Sequence, residues 1–387
     1  MKSLSQSPTD PDFVQNPYPF YDQARACGDL FHWEDLDRVS AVSHRAVTAI
    51  LKDRRLGRAV PPERREPTPD HLTAFAMVED VSMLDMEPPQ HTRLRSLVLR
   101  AFTSRRIAAL EDEIRTLAHH LIDGFPSGPF DLLDAYCQRI PVIVIARMLG
   151  VPEEAADDLL RWSHAMVAMY QARRSREIED AANAAAADFV AFLGAHISAR
   201  RKAPSDDLLS HLIAAEEAGE KLSTEELIGT VVLLLNAGHE ATVHGLGNAV
   251  PWLLANGRPE ITDTAVEECL RIDPPLHIFD RWVYEDIDLF GHAFRRGDRI
   301  NLILGAANRD PDAYPDPQRF DPNRTGPVNT SFGAGIHFCV GAPLARLEMR
   351  VGLSVLMARL PELEIVAPPR FANTYHFHGL ERLMVTA

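Results

Sequence analysis

The residue pattern richest in chemistry is Phe332-Gly333-Ala334-Gly335-Ile336-His337-Phe338-Cys339-Val340-Gly341. Its glycines let the backbone turn tightly and approach a flat ligand. Cys339 stands where a helix is predicted to begin, and the positive end of a helix dipole favours a thiolate there. Backbone N–H groups of the first turn can donate to that sulfur and temper its basicity. Glycine spacing and helix start together mark Cys339 as a ligand rather than a small core residue. Elsewhere, His91 and Arg95 are four apart and share a helix face, and Glu268 and Arg271 are three apart and can pair.

These residues need a scaffold to bring them together. Leu30–Trp33 and Arg38–Val42 read as strands around the turn-prone Glu34–Asp37, and Ser43 is placed to cap a helix through Leu51. Val60–Asp70 is proline-rich and reads as an irregular loop. From Pro89 to Ala255 apolar residues recur mostly at helical spacing, as in Ile107, Leu110, Ile114, Leu117 and Leu121. Ser223-Thr224-Glu225-Glu226 is a capping box that opens a helix apolar on all sides from Ile228 to Leu235. Such a helix must be buried, and if it runs to Ala249 it spans roughly 40 Å.

After Arg271 the composition changes. Pro274-Pro275 stops a helix; Arg281–Leu304 alternates around turns at Gly291 and Gly297-Asp298, which predicts a small antiparallel sheet. Asp310–Pro327 is proline-rich and reads as coil, and a last long helix follows Cys339, with Leu344, Leu347, Val351 and Val355 on one face. No repeat or linker divides the chain. The expected fold is a single domain over 1–387, mainly α with a minor antiparallel β region. Its parts are a β-rich N-terminal stretch (about 17–60), a helical body (about 89–271) and a mixed remainder (272–387).

With 40 Lys+Arg against 55 Asp+Glu among 387 residues, the net charge is −15, which argues against a nucleic-acid binder. Hydrophobic content of 46% excludes a disordered chain. Cys27, Cys137, Cys269 and Cys339 lie too far apart for a disulfide framework and suit a reducing cytoplasm. No apolar run approaches the ~20 residues that cross a bilayer. A soluble, cytoplasmic protein is expected, with no membrane partner.

The Cys339 segment resembles the heme-binding loop of the cytochrome P-450 superfamily, and three further segments resemble its other motifs in the family's order. Glu268-Cys269-Leu270-Arg271 is similar to its Glu-x-x-Arg pair, and Asp316-Pro317-Gln318-Arg319-Phe320-Asp321 to its meander. Ala237-Gly238-His239-Glu240-Ala241-Thr242 is similar to its oxygen-binding helix. The likeness runs from about Pro17 to the end. It implies the cytochrome P-450 fold with a long central helix over heme b, Cys339 as axial ligand of the heme iron, and His91, Arg95, Arg281 and His337 as propionate partners. Thiolate ligation favours O–O cleavage over reversible O₂ carriage. The resemblance makes Glu268, Arg271 and Arg319 a structural triad that serves folding and heme retention, with Cys269 packed in the core.

The family usually places an acid and then a threonine in the central helix, where the pair orders water and delivers protons to dioxygen. Glu240 keeps the acid, but Ala241 stands at the hydroxyl position, and Thr242, one residue on, is turned by ~100°. Three outcomes fit: a substrate hydroxyl or ordered water completes the relay, reduced oxygen leaks as peroxide, or the chemistry needs no ordinary oxygen activation. The first is favoured, because Glu240, Ala237 and Gly238 remain suited to hold water.

The same alignment implies a substrate pocket lined by Val81, Leu84, Leu233, Asn236, Ala237, His277, Ile278, Phe279 and Phe377, suited to a lipophilic small molecule. Asn236 and His277 can each anchor a substrate or be satisfied core groups. Trp162–Tyr170, with Met166 and Met169, can roof the entrance or serve as core. The function implied is a monooxygenase that inserts one atom of O₂, with electrons from a ferredoxin and its NAD(P)H-dependent reductase, acting as a monomer. Arg93, Arg100, Arg105, Arg106 and Arg346 can steer such an acidic carrier or be merely solvated. The alternatives are a peroxygenase driven by hydrogen peroxide and a non-catalytic heme sensor.

Overall fold

The computed structural model describes residues 1–171, 174–217 and 222–387. Its axis is the helix Thr224–Ala255, 32 residues long, hereafter the central helix. Ser223 Oγ accepts from the Glu226 N–H at 3.1 Å while the Glu226 carboxylate accepts from the Ser223 N–H at 3.0 Å, so the capping box forms as expected. The helix runs past Ala249 to Ala255, about 48 Å at the usual rise. Val231, Leu235, Leu246, Val250 and Leu253 are all buried, because helices Arg139–Leu149, Ala156–Val167, Arg176–Lys202 and the terminal helix Ala342–Arg359 pack around it. An apolar surface on every side is stable only inside such a bundle.

The β region is larger than the sequence implies. Ile278–Val283 and Arg299–Ile303 pair antiparallel as expected, but they do not stand alone. Arg299–Ile303 also pairs parallel with Arg38–Ala41, with Ser40 opposite Asn301, and the result is one six-stranded sheet that includes Leu30–Trp33. The reason lies in burial: Ile300, Leu302 and Ile303 are wholly buried, and Asn301 is satisfied by donating to Ser40 Oγ at 3.2 Å. The Gly291 turn joins a separate small hairpin, Ile287–Leu289 with His292–Phe294. Strands from both ends of the chain thus share one sheet.

Asp310–Pro327 is coil, and a buried ion cluster holds it. Glu268, 2 % exposed, accepts from Arg271 Nε at 2.6 Å and Nη2 at 2.8 Å, and from the Asp321 N–H at 2.8 Å. The third cation differs from the sequence expectation. Arg324 Nε donates to both Glu268 oxygens at 3.1 Å, whereas Arg319 is exposed and offers only its backbone carbonyl oxygen, to Arg271 and to Arg324. Arg324 fits because its Nη atoms also donate to the carbonyls of Pro315 and Asp316, which fastens the coil on itself.

Candidate active site

A cavity of about 710 Å³ lies between the central helix and the loop that carries Cys339. The loop takes its shape from two left-handed glycines, Gly333 (φ 68°) and Gly335 (φ 73°). A Cβ on Gly335 would sit 2.5 Å from the Leu51 carbonyl oxygen, so no other residue fits there. The Cys339 N–H donates to the Phe332 carbonyl at 3.0 Å and closes the loop, after which Ala342 begins the terminal helix. Cys339 is an exposed residue and lines the cavity. Burial pushes its thiol pKa up, against which the N–H groups of Gly341 and Ala342 and the charges of Arg95 and Arg346 pull it down. Burial wins, so the helix start alone does not make the thiolate that the sequence suggests; a bound metal ion deprotonates such a thiol outright.

Four cationic or potentially cationic side chains line the same cavity: His91, Arg95, Arg281 and His337. The His91 and His337 rings lie 4.4 Å apart, and His337 Nε2 is 2.9 Å from Glu87 Oε1. Arg95 donates to the Phe338 carbonyl at 2.6 Å. Arg281 is 2 % exposed and donates to the Asp280 carbonyl at 2.7 Å, yet makes no ion pair among the described residues. Burial lowers its pKa to about 10. A buried guanidinium without a carboxylate is costly, and a cavity edge so built calls for an anionic ligand. One sulfur, apolar walls and cations at the rim fit an iron porphyrin with its two propionates.

Glu240, Ala241 and Thr242 of the central helix line the same cavity as Cys339. Burial alone raises the Glu240 pKa, but His244, with its Nε2 3.7 Å from Oε1, together with His239 and His164 outweighs it and holds the carboxyl at about 2. Glu240 is therefore ionised at neutral pH. Leu84, Leu233, Asn236, Ala237, Ile278, Phe279 and Phe377 also line the cavity. Asn236 donates to Met166 Sδ at 3.7 Å and its Oδ1 is buried without a partner.

Two expected pocket residues are placed otherwise. His277, just before the strand Ile278–Val283, is wholly buried away from the cavity, where its Nδ1 meets the Tyr21 hydroxyl at 2.9 Å and its ring lies 4.2 Å from His378. These two partners hold it there, while its neighbours Leu276 and Ile278 line the cavity. Val81 packs against the central helix at Gly229, within 2.6 Å of where a Cβ would stand. Of the Trp162–Tyr170 stretch, Val167, Met169 and Tyr170 line the cavity, while Trp162 packs on Phe189 and Phe192 as core.

Sequence reasoning missed the polar mouth. Arg58 lies over the Phe279 ring and bonds to Asp85 at 3.1 Å, and Tyr170 donates to Glu79 Oε2 at 2.9 Å, with burial raising Glu79 to about 7. Glu79 ends the short helix Thr73–Glu79 and Tyr170 closes a single helical turn, elements too short for periodicity to betray them. The expected basic patch is largely neutralised: Arg93 pairs with Glu226, Arg106 with Asp206 at 2.9 Å, and Arg346 with Glu267. A larger surface depression of about 850 Å³ beside Arg346 and Glu267 contains no part of Cys339 or the central helix.

Comparison with known proteins agrees with this geometry. The family model described as Cytochrome P450 matches residues 258–365. The biotin biosynthesis cytochrome P450 of Bacillus subtilis (strain 168) is 33% identical over 99% of each chain. The vitamin D(3) 25-hydroxylase of Pseudonocardia autotrophica is 39% identical over 97% of this chain and 94% of its own. Among solved structures, P450BioI in complex with an acyl carrier protein ligated to hexadec-9Z-enoic acid superposes with a TM-score of 0.91, at 34% identity over 97% of this chain and 99% of that one. The fold and the cysteine-walled cavity define a heme-thiolate monooxygenase whose cofactor is heme b. The chain belongs to the cytochrome P450 family. No helix among the described residues is long and apolar enough to cross a membrane.

Proposed function

We propose that the chain, as one domain in the cytoplasm, inserts one oxygen atom of O₂ into a lipophilic small molecule, with water as the other product and two electrons supplied by a ferredoxin. The reading rests on one observation above all: Cys339 and the Glu240–Ala241 turn line a single cavity. Heme held there supplies oxygen activation driven by its thiolate ligand.

Cys339 provides that ligand, and His91, Arg95, Arg281 and His337 hold the propionates. Arg281 gains the counter-charge it lacks, so its role is binding and orientation. Glu240 Oε2 faces His164 Nε2, 3.4 Å away, whose side chain is 45% exposed, so the pair links the cavity to solvent. The ionised carboxylate is suited to order the water that carries protons beside Ala241. Ala241 leaves space where a hydroxyl usually stands, and a substrate hydroxyl or a water fills it. Leu84, Leu233, Ile278 and Phe279 exclude bulk water, while Arg58, Glu79 and Tyr170 give the mouth a polar rim for one polar end of the substrate.

Turnover with ferredoxin, reductase and NADPH, using vitamin D3 and hexadec-9Z-enoic acid as first probes after the two relatives, tests the reaction class. Product in step with NADPH consumption is expected; product with hydrogen peroxide alone makes the enzyme a peroxygenase. Ala241→Thr tests the relay: it should hold or raise the yield of product per NADPH on probes without a hydroxyl near the oxidised carbon. A yield indifferent to the presence of that hydroxyl removes the substrate-assisted reading.

A further inference from the structure

Behind Glu240, three side chains from two helices converge on one point. His239 is 1 % exposed, and its Nδ1 lies 2.7 Å from the Leu235 carbonyl oxygen. A carbonyl only accepts, so Nδ1 carries a proton and donates there, which leaves Nε2 to find a second partner. Nε2 lies 3.5 Å from Glu240 Oε2, and both atoms are buried without a hydrogen-bond partner. His164 Nε2, from the helix Ala156–Val167, is 3.4 Å from the same oxygen.

Two buried polar atoms that face each other without a hydrogen-bond partner cost free energy unless something positive bridges them. The spacing selects a candidate. Zinc bonds of about 2.0–2.1 Å to nitrogen and oxygen, set at tetrahedral angles, put ligand atoms ~3.4 Å apart. The three ligand atoms here all lie within 4.8 Å of one another. The other such group among the described residues, Asp273, His277 and His378, is buried at all three positions and Tyr18 already donates to Asp273 Oδ1 at 2.7 Å, whereas His164 opens this one to solvent.

We propose that His164 Nε2, His239 Nε2 and Glu240 Oε2 bind one zinc ion, with water as fourth ligand. The half-exposed His164 is the way in from solvent. Occupancy has a consequence for turnover: zinc takes the carboxylate oxygen and the histidine that link the cavity to solvent, so bound metal and proton delivery by that route exclude each other. That consequence, unlike the site itself, rests on the relay reading of Glu240.

The test is calorimetric titration of ZnCl₂ into chelator-treated, heme-loaded protein, with zinc K-edge absorption to read the ligands. One zinc per chain is expected, with imidazole nitrogens at about 2.0 Å. His164→Ala, at a half-exposed position, and the isosteric Glu240→Gln should each weaken binding by ~10-fold or more. His211→Ala, at an exposed histidine outside the cluster, should not. No bound zinc, or an affinity indifferent to both substitutions, overturns the site. Zinc bound there without slowing turnover upholds the site and refutes the relay.

Discussion

Arg324, not Arg319, closes the buried ion cluster, and the two can be told apart by stability. The Arg324 side chain is 10% exposed and that of Glu268 is 1%. Arg324→Ala removes contacts to both Glu268 oxygens at 3.1 Å and three donations to coil carbonyls. Breaking a buried pair costs about 3–5 kcal/mol when a charge is left uncompensated. Arg271 still holds Glu268 through two bonds, so the lower end, about 3 kcal/mol, applies. Arg319→Ala removes only an exposed side chain and should stay within about 0.5 kcal/mol. At about 2 °C per kcal/mol for a large domain, thermal unfolding of the heme-loaded protein followed by circular dichroism should show a fall of about 6 °C for Arg324→Ala and about 1 °C or less for Arg319→Ala. Arg324→Lys should recover only part, because an ammonium lacks the planar fork. Equal losses at the two positions, or the reverse order, would refute the assignment.

Gly335→Ala should abolish heme incorporation while leaving helical content nearly unchanged, since the added methyl meets the Leu51 carbonyl at a left-handed position; the ratio of Soret to protein absorbance measures it. Stability should also fall with acid. Burial pushes His376 down to about 4 and His277 well below its usual value, so the unfolded chain binds more protons than the folded one below about pH 6.5. Their contribution is complete above the unfolded value and is lost as pH falls toward the folded ones. The unfolding temperature should therefore drop between pH 6.5 and 4, and less steeply in His376→Gln.

The long central helix and the cysteine loop were legible because each carries a local cause: a capping box with unbroken apolar spacing, and glycines that only a tight loop needs. The sheet was half legible. Its antiparallel pair is signalled by turns, but the parallel pairing of Ser40 with Asn301 joins segments that share no local signal. The ion cluster shows a subtler limit. Asp316-Pro317-Gln318-Arg319 and Asp321-Pro322-Asn323-Arg324 are near copies five residues apart, and only the path of the coil decides which arginine reaches Glu268. His277 misled because the groups that hold it, Tyr21 and His378, come from distant segments. The partners of Glu240 stayed hidden because His164 comes from a distant helix.

The most direct measurement concerns the bond between Cys339 and the heme iron. Purified protein, reduced and exposed to carbon monoxide, should give the red-shifted Soret absorption that a thiolate ligand produces, and Cys339→Ala should abolish it. Absence of that absorption in the parent protein, or its survival in the variant, contradicts the central claim.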